Sequence, residues 1–395
     1  MHILQISTFG FDPRFPSRPE FVLARTLAEL GHKVDAIEYW HDQSQPQRIE
    51  FAPNLTIHRC RTFGFLSTDM WQLGKQIGRP DLIHVHHLRH LLAYQAQKQW
   101  LAQVPMVLTP HGILHDGDLV VDRERPLDNP LTPQKLLRER NQLISALLKG
   151  HHPRRAIRNY LIHAPMLRYH GIFALSHHEK GILADLGANR DHIDVIPNAV
   201  DLRQYETIQH PKATTPTLLF IGQLVPRKGW DLAINALPLI RAHIPDIKLV
   251  MVTHNTSQLQ QLEQLANALQ VRDAIEIRTK VDEAEKVKLL QQAHVLVAPS
   301  RYEGFGIPPI EAMAAGCGVV TTDCAAGNEV VTHEQTGLLS RYDDVEDLAT
   351  QVVRLMTDQS LYQRLTANGR RHVYQTYSPQ TVAMQSLAGY QQYIR

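Results

Sequence analysis

The sequence predicts an α/β protein with parallel sheets, divided into two domains. Short apolar runs with β-branched residues alternate with helix-length periodic segments from end to end, the pattern of successive βαβ units. At 395 residues the chain is too long for one hydrophobic core. The alternation breaks once, at Pro197-Asn198-Ala199-Val200-Asp201 and the polar, proline-bearing Thr207–Pro216. That break places the first domain at 1–199 and the second at 200–375.

In the first half, Ile3–Ser7 reads as a strand and Glu20–Leu30 as a helix stopped by Gly31. Strands follow at Lys33–Glu38, Leu82–His86, Met106–Thr109 and Gly171–Ser176. Glu179–Leu186 reads as a helix closed by Gly187, and Ile193–Ile196 as the last strand of this half. The second half restarts with strand Thr217–Ile221, helix Trp230–His243, strand Lys248–Thr253 and helix Ser257–Leu269. Strand Ile275–Arg278, helix Glu283–Gln292, strand 293–298, strand Gly318–Thr322 and helices after Val345 complete it.

A hydrophobic content of 43% and a charged content of 20% are those of an ordinary soluble protein. The first residues form a strand rather than a signal peptide, and no apolar run approaches the length of a membrane span. Cys60, Cys317 and Cys324 stand at unrelated spacings, giving neither a disulfide framework nor a metal site. These features together predict a cytoplasmic protein. Net charge is +2, yet residues 1–200 hold 23 Lys and Arg against 19 acids, and 17 of the 23 histidines. Residues 134–170 concentrate that charge, with eight cations (among them Arg154, Arg155 and Arg158) against the single acid Glu139. Apolar residues are interleaved at helical spacing, a composition suited to an anionic membrane surface from the inner face, or to a core-facing helix with a solvated basic side. No nucleic-acid reader motif accompanies the basic residues, so no nucleic-acid partner is expected.

The most informative stretch runs from Pro299 to Gly316. A strand is followed by a loop with Gly304 and Gly306, and then by a short helix, with Pro308 and Pro309 at its start and Gly316 at its stop. Its N-terminus offers unpaired amides and partial positive charge, a seat for phosphate that the glycines let a ligand approach. Glu303 lies on the loop, and Glu311, eight positions on, is read in the first turn. Carboxylates in such a place suit the paired hydroxyls of sugar and ribose. The plainer alternative is a loop cap and a helix-dipole partner. Arg227 and Lys228 follow a strand end and the Gly222 turn, where ligands bind in open α/β sheets, and two adjacent cations suit a diphosphate.

This arrangement resembles the E-x7-E motif of retaining glycosyltransferases of family 4, which have the GT-B fold. Asp194–Asp201 looks like that family's interdomain stretch, Leu219–Gly229 like its phosphate-binding turn, and Gly327-Asn328-Glu329 and Thr336-Gly337-Leu338-Leu339 like its later landmarks, in order. The resemblance covers nearly all of the second half and fragments of the first. It implies two Rossmann-like doubly wound domains facing an interdomain cleft, with a C-terminal helix, 376–395, packing back on the first domain. It further implies transfer of a sugar, a hexose by expectation, from a nucleotide diphosphate sugar acting as co-substrate, with no other cofactor. The acceptor would be a hydroxyl of a glycan or a lipid-linked molecule, in cell-surface glycan, exopolysaccharide, lipopolysaccharide or glycolipid synthesis.

By the same resemblance Glu311 would hold ribose and Glu303 the transferred sugar. Gly304, Phe305, Gly306 and Ile307 would add contacts to phosphate or sugar. His111, in a His-Gly turn after Met106–Thr109, would touch the donor sugar. His84, His86, His87 and His90 invite a metal-site reading. Strand alternation, however, sets His84 and His86 on one face and turns His87 away, and relatives of this fold work without a divalent ion, so no metal is expected. Two departures stand out. Pro16-Ser17-Arg18-Pro19-Glu20 replaces the usual Gly-Gly, with Arg18 as a candidate substitute, and His254-Asn255 replaces a glycine-rich turn. A nucleotide-sugar epimerase of the same fold and a non-catalytic sugar-nucleotide-binding subunit remain alternatives. A dinucleotide oxidoreductase is excluded, since no G-x-G-x-x-G follows the first strand.

If the basic stretch docks on lipid, charge reversal at Arg154, Arg155 and Arg158 releases the protein from vesicles containing anionic lipid. Co-sedimentation measures this, and equal recovery of both forms in the pellet refutes the membrane contact.

Overall fold

Two parallel sheets organise the computed structural model, which describes residues 1–63, 66–87, 91–112, 119–121, 131–133, 144–145, 147–148, 164–185, 187–207, 210–254 and 256–394. Most of the basic stretch 134–170, together with His90 and Asn255, lies outside the described residues. The chain divides into two compact units, one of residues 1–115, 133–201 and 379–395, the other of 116–132 and 202–378.

In the first unit the strands are β1 (His2–Ile6), β2 (Lys33–Tyr39), β3 (Arg48–Ala52), β4 (Leu55–Cys60), β7 (Leu82–His86), β8 (Met106–Thr109), β11 (Gly171–Ala174) and β12 (Ile193–Val195). They lie in the order β12-β11-β8-β7-β1-β2-β4-β3, with only β3 antiparallel to its neighbour. A small hairpin, β5 (Thr62–Phe63) with β6 (Leu66–Ser67), and a separate ladder of β9 (Leu119–Val121) with β10 (Leu131–Pro133) stand apart. Strand order reverses between β1 and β7, so the connections leave from opposite faces there.

The second unit repeats the design. Its strands β13 (Thr217–Ile221), β14 (Lys248–Val252), β15 (Ile275–Arg278), β16 (Val295–Ala298), β17 (Gly318–Thr322) and β18 (Leu338–Ser340) lie in the order β15-β14-β13-β16-β17-β18. Counted from β13 this is the 3-2-1-4-5-6 order of a doubly wound Rossmann sheet, with its reversal between β13 and β16. Helices cover both faces of such sheets, so their central strands are buried throughout and read as unbroken apolar runs. Leu218, Phe220, Val295, Val297 and Val320 accordingly form one core with Trp230, Leu237 and Leu355.

The C-terminal helix Pro379–Gln391 belongs to the first unit, where Val382, Ala383, Leu387 and Tyr390 join the core beside Phe21, Leu27 and Phe173. Its Tyr390 hydroxyl lies 2.7 Å from Nδ1 of His84, whose Nε2 lies 2.7 Å from Thr109 Oγ1. Among the described residues no helix is long and apolar enough to cross a membrane. Expected strands coincide with observed ones to within a residue or two. Strands β3 and β4 and the helices Met70–Ile77 and Leu91–Trp100 were not anticipated.

Burial pushes His84 down to about 3, reinforced by His111 and opposed by Glu20. The folded unit therefore holds this ring neutral, whereas the unfolded chain protonates it below about pH 6.5. Its contribution is fully present above that pH and is lost progressively as pH falls toward about 3. We expect a loss of about 2 kcal/mol from this group between pH 7 and pH 5, and a shallower slope in His84→Asn. Thermal unfolding across that range tests it, and parallel slopes for the two proteins refute it.

Candidate donor site

The two strands that flank the reversal in the second sheet each deliver one polar group. After β13 the chain turns at Gly222, whose amide donates to the Val252 carbonyl, and enters a 3-10 turn, Pro226–Lys228, carrying both expected cations. After β16 comes the loop with Glu303. These segments, 75 residues apart, meet: Lys228 Nζ lies 2.5 Å from Glu303 Oε2, and Ser300 Oγ lies 3.4 Å from the same oxygen. Burial alone would raise the Glu303 carboxyl. Lys228 and Arg227 outweigh it and hold the group below its ordinary value, ionised at neutral pH.

Backbone contacts fix the junction. The Arg227 carbonyl accepts the amide of Arg301 at 2.7 Å and that of Tyr302 at 3.3 Å. Gly229, at φ 63, packs so tightly that a Cβ there would collide with the Pro299 carbonyl oxygen. Arg301 completes the seam with a bidentate grip on Asp231 (2.8 and 2.7 Å), a bond to the Pro226 carbonyl at 2.8 Å and another to Asp343 at 2.7 Å. With both carboxylates taken, the Arg301 charge serves the loops rather than a ligand. Sequence reasoning assigned Arg301 no role.

Gly306, at φ 95, precedes the helix Ile307–Ala314, and Gly316, at φ 69, follows it. Gly304 needs no such backbone. Phe305 is buried and meets Tyr377 edge-on at 5.7 Å. Glu311 is the fifth residue of the helix, not in its first turn as expected, because the helix starts at Ile307 rather than at the prolines. From there its carboxylate reaches inward, 5% exposed, and pairs with Lys286 at 2.7 Å. Burial pushes the Glu311 carboxyl up while Lys286 opposes it. The carboxylates of Glu311 and Glu283 together raise Lys286 despite its burial. The buried Tyr205 phenol faces the same group and is raised by burial first and by that negative charge second. Lys286 and Tyr205 carry no local signal in the sequence and were missed.

In the first unit, His111 (φ 51) and Gly112 (φ 93) form the turn after β8, held by Glu179, which accepts from the amides of Gly112 and Leu175. The His111 side chain is 8% exposed, with Nε2 3.0 Å from His86 Nδ1 and a side-chain bond to Asn198, and desolvation pushes it down to about 3. His87 does not turn away as alternation predicted. The strand ends at His86, and His87 adopts φ 64, which brings its Nε2 to 2.5 Å from Glu20 and its ring to 4.6 Å from that of His111. Glu20, His87 and His111 thus place donor atoms within 4.8 Å of one another. Arg18 is engaged locally: it bonds the Phe9 carbonyl at 2.7 Å and lies over the Phe9 and Phe15 rings.

Two Rossmann-like sheets are in place, and in the second a cation and a carboxylate are joined across the topological switch point, where ligands bind in open α/β sheets. The sequence model described as "Glycosyltransferase Family 4" matches residues 21–204, and that described as "Glycosyl transferases group 1" matches 203–372. The chain belongs to the glycosyltransferases built from these two domains, and its fold is GT-B. It is 32% identical over 198 residues to the glycogen synthase of Mycobacterium tuberculosis, 50% of this chain and 48% of that protein, so the match spans about half the length of that relative. Among solved structures it is similar to the sucrose-phosphate synthase of Thermosynechococcus elongatus, at 20% identity, TM-score 0.73 and coverage of 99% and 98%. It is also similar to Anabaena HepE in complex with UDP-glucose, at 16% identity, TM-score 0.71 and coverage of 99% and 100%. At these identities the two structures attest the fold alone.

Gly229→Ala should cost distinctly more stability than Gly31→Ala, by at least about 1 kcal/mol. Both glycines have positive φ, but a Cβ at Gly31 meets nothing within 4 Å. Thermal denaturation of the two variants measures the difference, and equal losses would mean that the seam at Pro299 yields easily.

Proposed function

We propose that the protein is a retaining hexosyltransferase, moving a sugar from a nucleotide diphosphate sugar to a hydroxyl of a glycan or lipid-linked acceptor. The observation that carries this reading is the Lys228–Glu303 pair at the switch point of the second sheet. Lys228 and Arg227 take the donor diphosphate, each charge-assisted contact contributing about 1.5–3 kcal/mol. Gly222 and the loop Gly304-Phe305-Gly306-Ile307 add contacts to phosphate or sugar beside it. Glu303, released from Lys228 by the arriving phosphate, accepts hydrogen bonds from sugar hydroxyls. Glu311 accepts from the ribose hydroxyls. His111 serves as a neutral hydrogen-bonding group at the sugar.

In the transfer the acceptor oxygen bonds to the anomeric carbon while that carbon's bond to the diphosphate breaks. The acceptor proton passes to the leaving phosphate oxygen, giving a glycoside and a nucleoside diphosphate. Attack and departure on one face retain configuration, and no protein nucleophile is required. The two cations supply the countercharge to the diphosphate, and on this reading the step needs no divalent ion. Catalysis then rests on positioning and fixed electrostatics. The UDP-glucose complex of a protein of the same fold supports a nucleotide-sugar donor. In the basic stretch Ile144, Leu147 and Leu148 are exposed while Met166 and Tyr169 are buried, and the exposed three support a membrane-borne acceptor.

Thermal shifts with UDP, GDP, ADP and CMP test the donor site. A ligand at 100 times its dissociation constant adds about 2.7 kcal/mol to stability. We expect one nucleotide to stabilise the wild type, with affinity about tenfold lower in Glu311→Gln. That substitution keeps the shape, and Lys286 retains Glu283 at 2.9 Å. Glu303→Ala should keep nucleotide affinity and lose transfer. Full transfer activity in both variants would overturn the site.

A further inference from the structure

Strand alternation predicts a His87 that points away from any common ligand, and the structure places it otherwise. The strand β7 ends at His86, and the left-handed backbone of His87, at φ 64, turns its ring toward Glu20 and His111. His111, two residues past β8, is left-handed as well, at φ 51. Such backbone is costly for a residue with a side chain, and it gathers at functional positions.

The geometry points to a divalent transition-metal site, suited to zinc, formed by Glu20, His87 and His111. Three donor atoms, one from each residue, lie within 4.8 Å of one another. Glu20 Oε1 stands 2.5 Å from His87 Nε2 and 3.9 Å from His111 Nε2. Tetrahedral zinc, with bonds of about 2.0–2.1 Å, sets its ligands roughly 3.4 Å apart, so each atom moves by about 1 Å or less to take the ion. The ion replaces two hydrogen bonds, that of His87 with Glu20 and that of His111 Nε2 with His86 Nδ1 at 3.0 Å.

The donor chemistry selects the metal. Two imidazoles and a carboxylate suit zinc and its transition-metal neighbours, whereas magnesium and calcium take oxygen ligands. The Glu20 side chain is 5% exposed, and among the described residues it pairs with no Lys or Arg. A buried carboxylate needs an opposite charge or a metal, and its partners here, the two imidazoles, are charged only when protonated. The ligands are also held from behind. Glu179 accepts from the Gly112 amide at 3.0 Å and fixes the turn that carries His111, whose side chain bonds Asn198. Outer contacts of this kind set the ring orientation that a metal requires. The His87 side chain, 33% exposed, leaves the ion a way in. Once bound, the ion joins the start of the helix Pro19–Glu29 to the ends of β7 and β8 and stabilises the folded unit by linkage.

The three ligands stand in the first unit alone, and the site does not rest on the transferase reading. The probe is zinc chloride added to the full chain, prepared without a polyhistidine tag and stripped with chelator. We expect one zinc ion per chain by calorimetry, and an unfolding midpoint several degrees higher at about 100 times the dissociation constant. Magnesium and calcium should do neither. His87→Gln still donates to Glu20 but offers no imidazole nitrogen, and should bind zinc at least about tenfold more weakly, since changes to outer contacts alone cost that much. X-ray absorption of zinc on the wild type reads the ligands whether or not that variant folds, and should show two imidazoles with oxygen. Absence of zinc binding by the wild type would overturn the site. So would undiminished binding by His87→Gln, equal stabilisation by magnesium, or any other ligand set.

Discussion

The Arg301 guanidinium holds two loops of the second unit in one place, and the pairing of Lys228 with Glu303 depends on it. Arg301 is only 12% exposed, so its desolvation is costly; Asp231 and Asp343 offset that cost from two sides. A planar fork can serve a bidentate carboxylate, a carbonyl and a second carboxylate at once, which a lysine cannot do. Asp343 reaches it from a left-handed backbone at φ 54. The consequence is a site whose charges are arranged during folding. A ligand arriving there need not spend binding energy on gathering two loops.

Each sheet places a polar pair at its reversal, and the difference between the pairs is one of charge. In the second unit two cations, Arg227 and Lys228, hold one carboxylate, Glu303, ionised. In the first unit the buried Glu20 carboxylate pairs with His87 and lies near His111. The fold supplies the position, and the side chains at the strand ends decide what binds.

Much of this was legible in the sequence where the signal is local. Parallel strands buried on both faces read as apolar runs, so β13, β14, β16 and β17 were found nearly to the residue. Lys228 and Glu303 were found because each sits just past such a run. The polar edge strand β3 and the helix Met70–Ile77, only eight residues long with a glycine at its centre, escaped. Lys286 and Tyr205 escaped for a different reason: their partnership with Glu311 exists only after β16 and its neighbours bring the segments together.

The misplacement of His87 shows where period-two reasoning stops. Alternation correctly stacks His84 on His86, whose ring centroids lie 4.0 Å apart. It assumes that the strand continues, and the strand ends at His86. One residue later a left-handed turn swings the next side chain toward Glu20 and His111, both of which strand parity put out of reach. Binding groups in this fold are built on such turns, because there the backbone leaves the sheet and side chains are free to converge. Regular patterns therefore find the scaffold, and they misread a side chain where the backbone changes hand one residue past the strand.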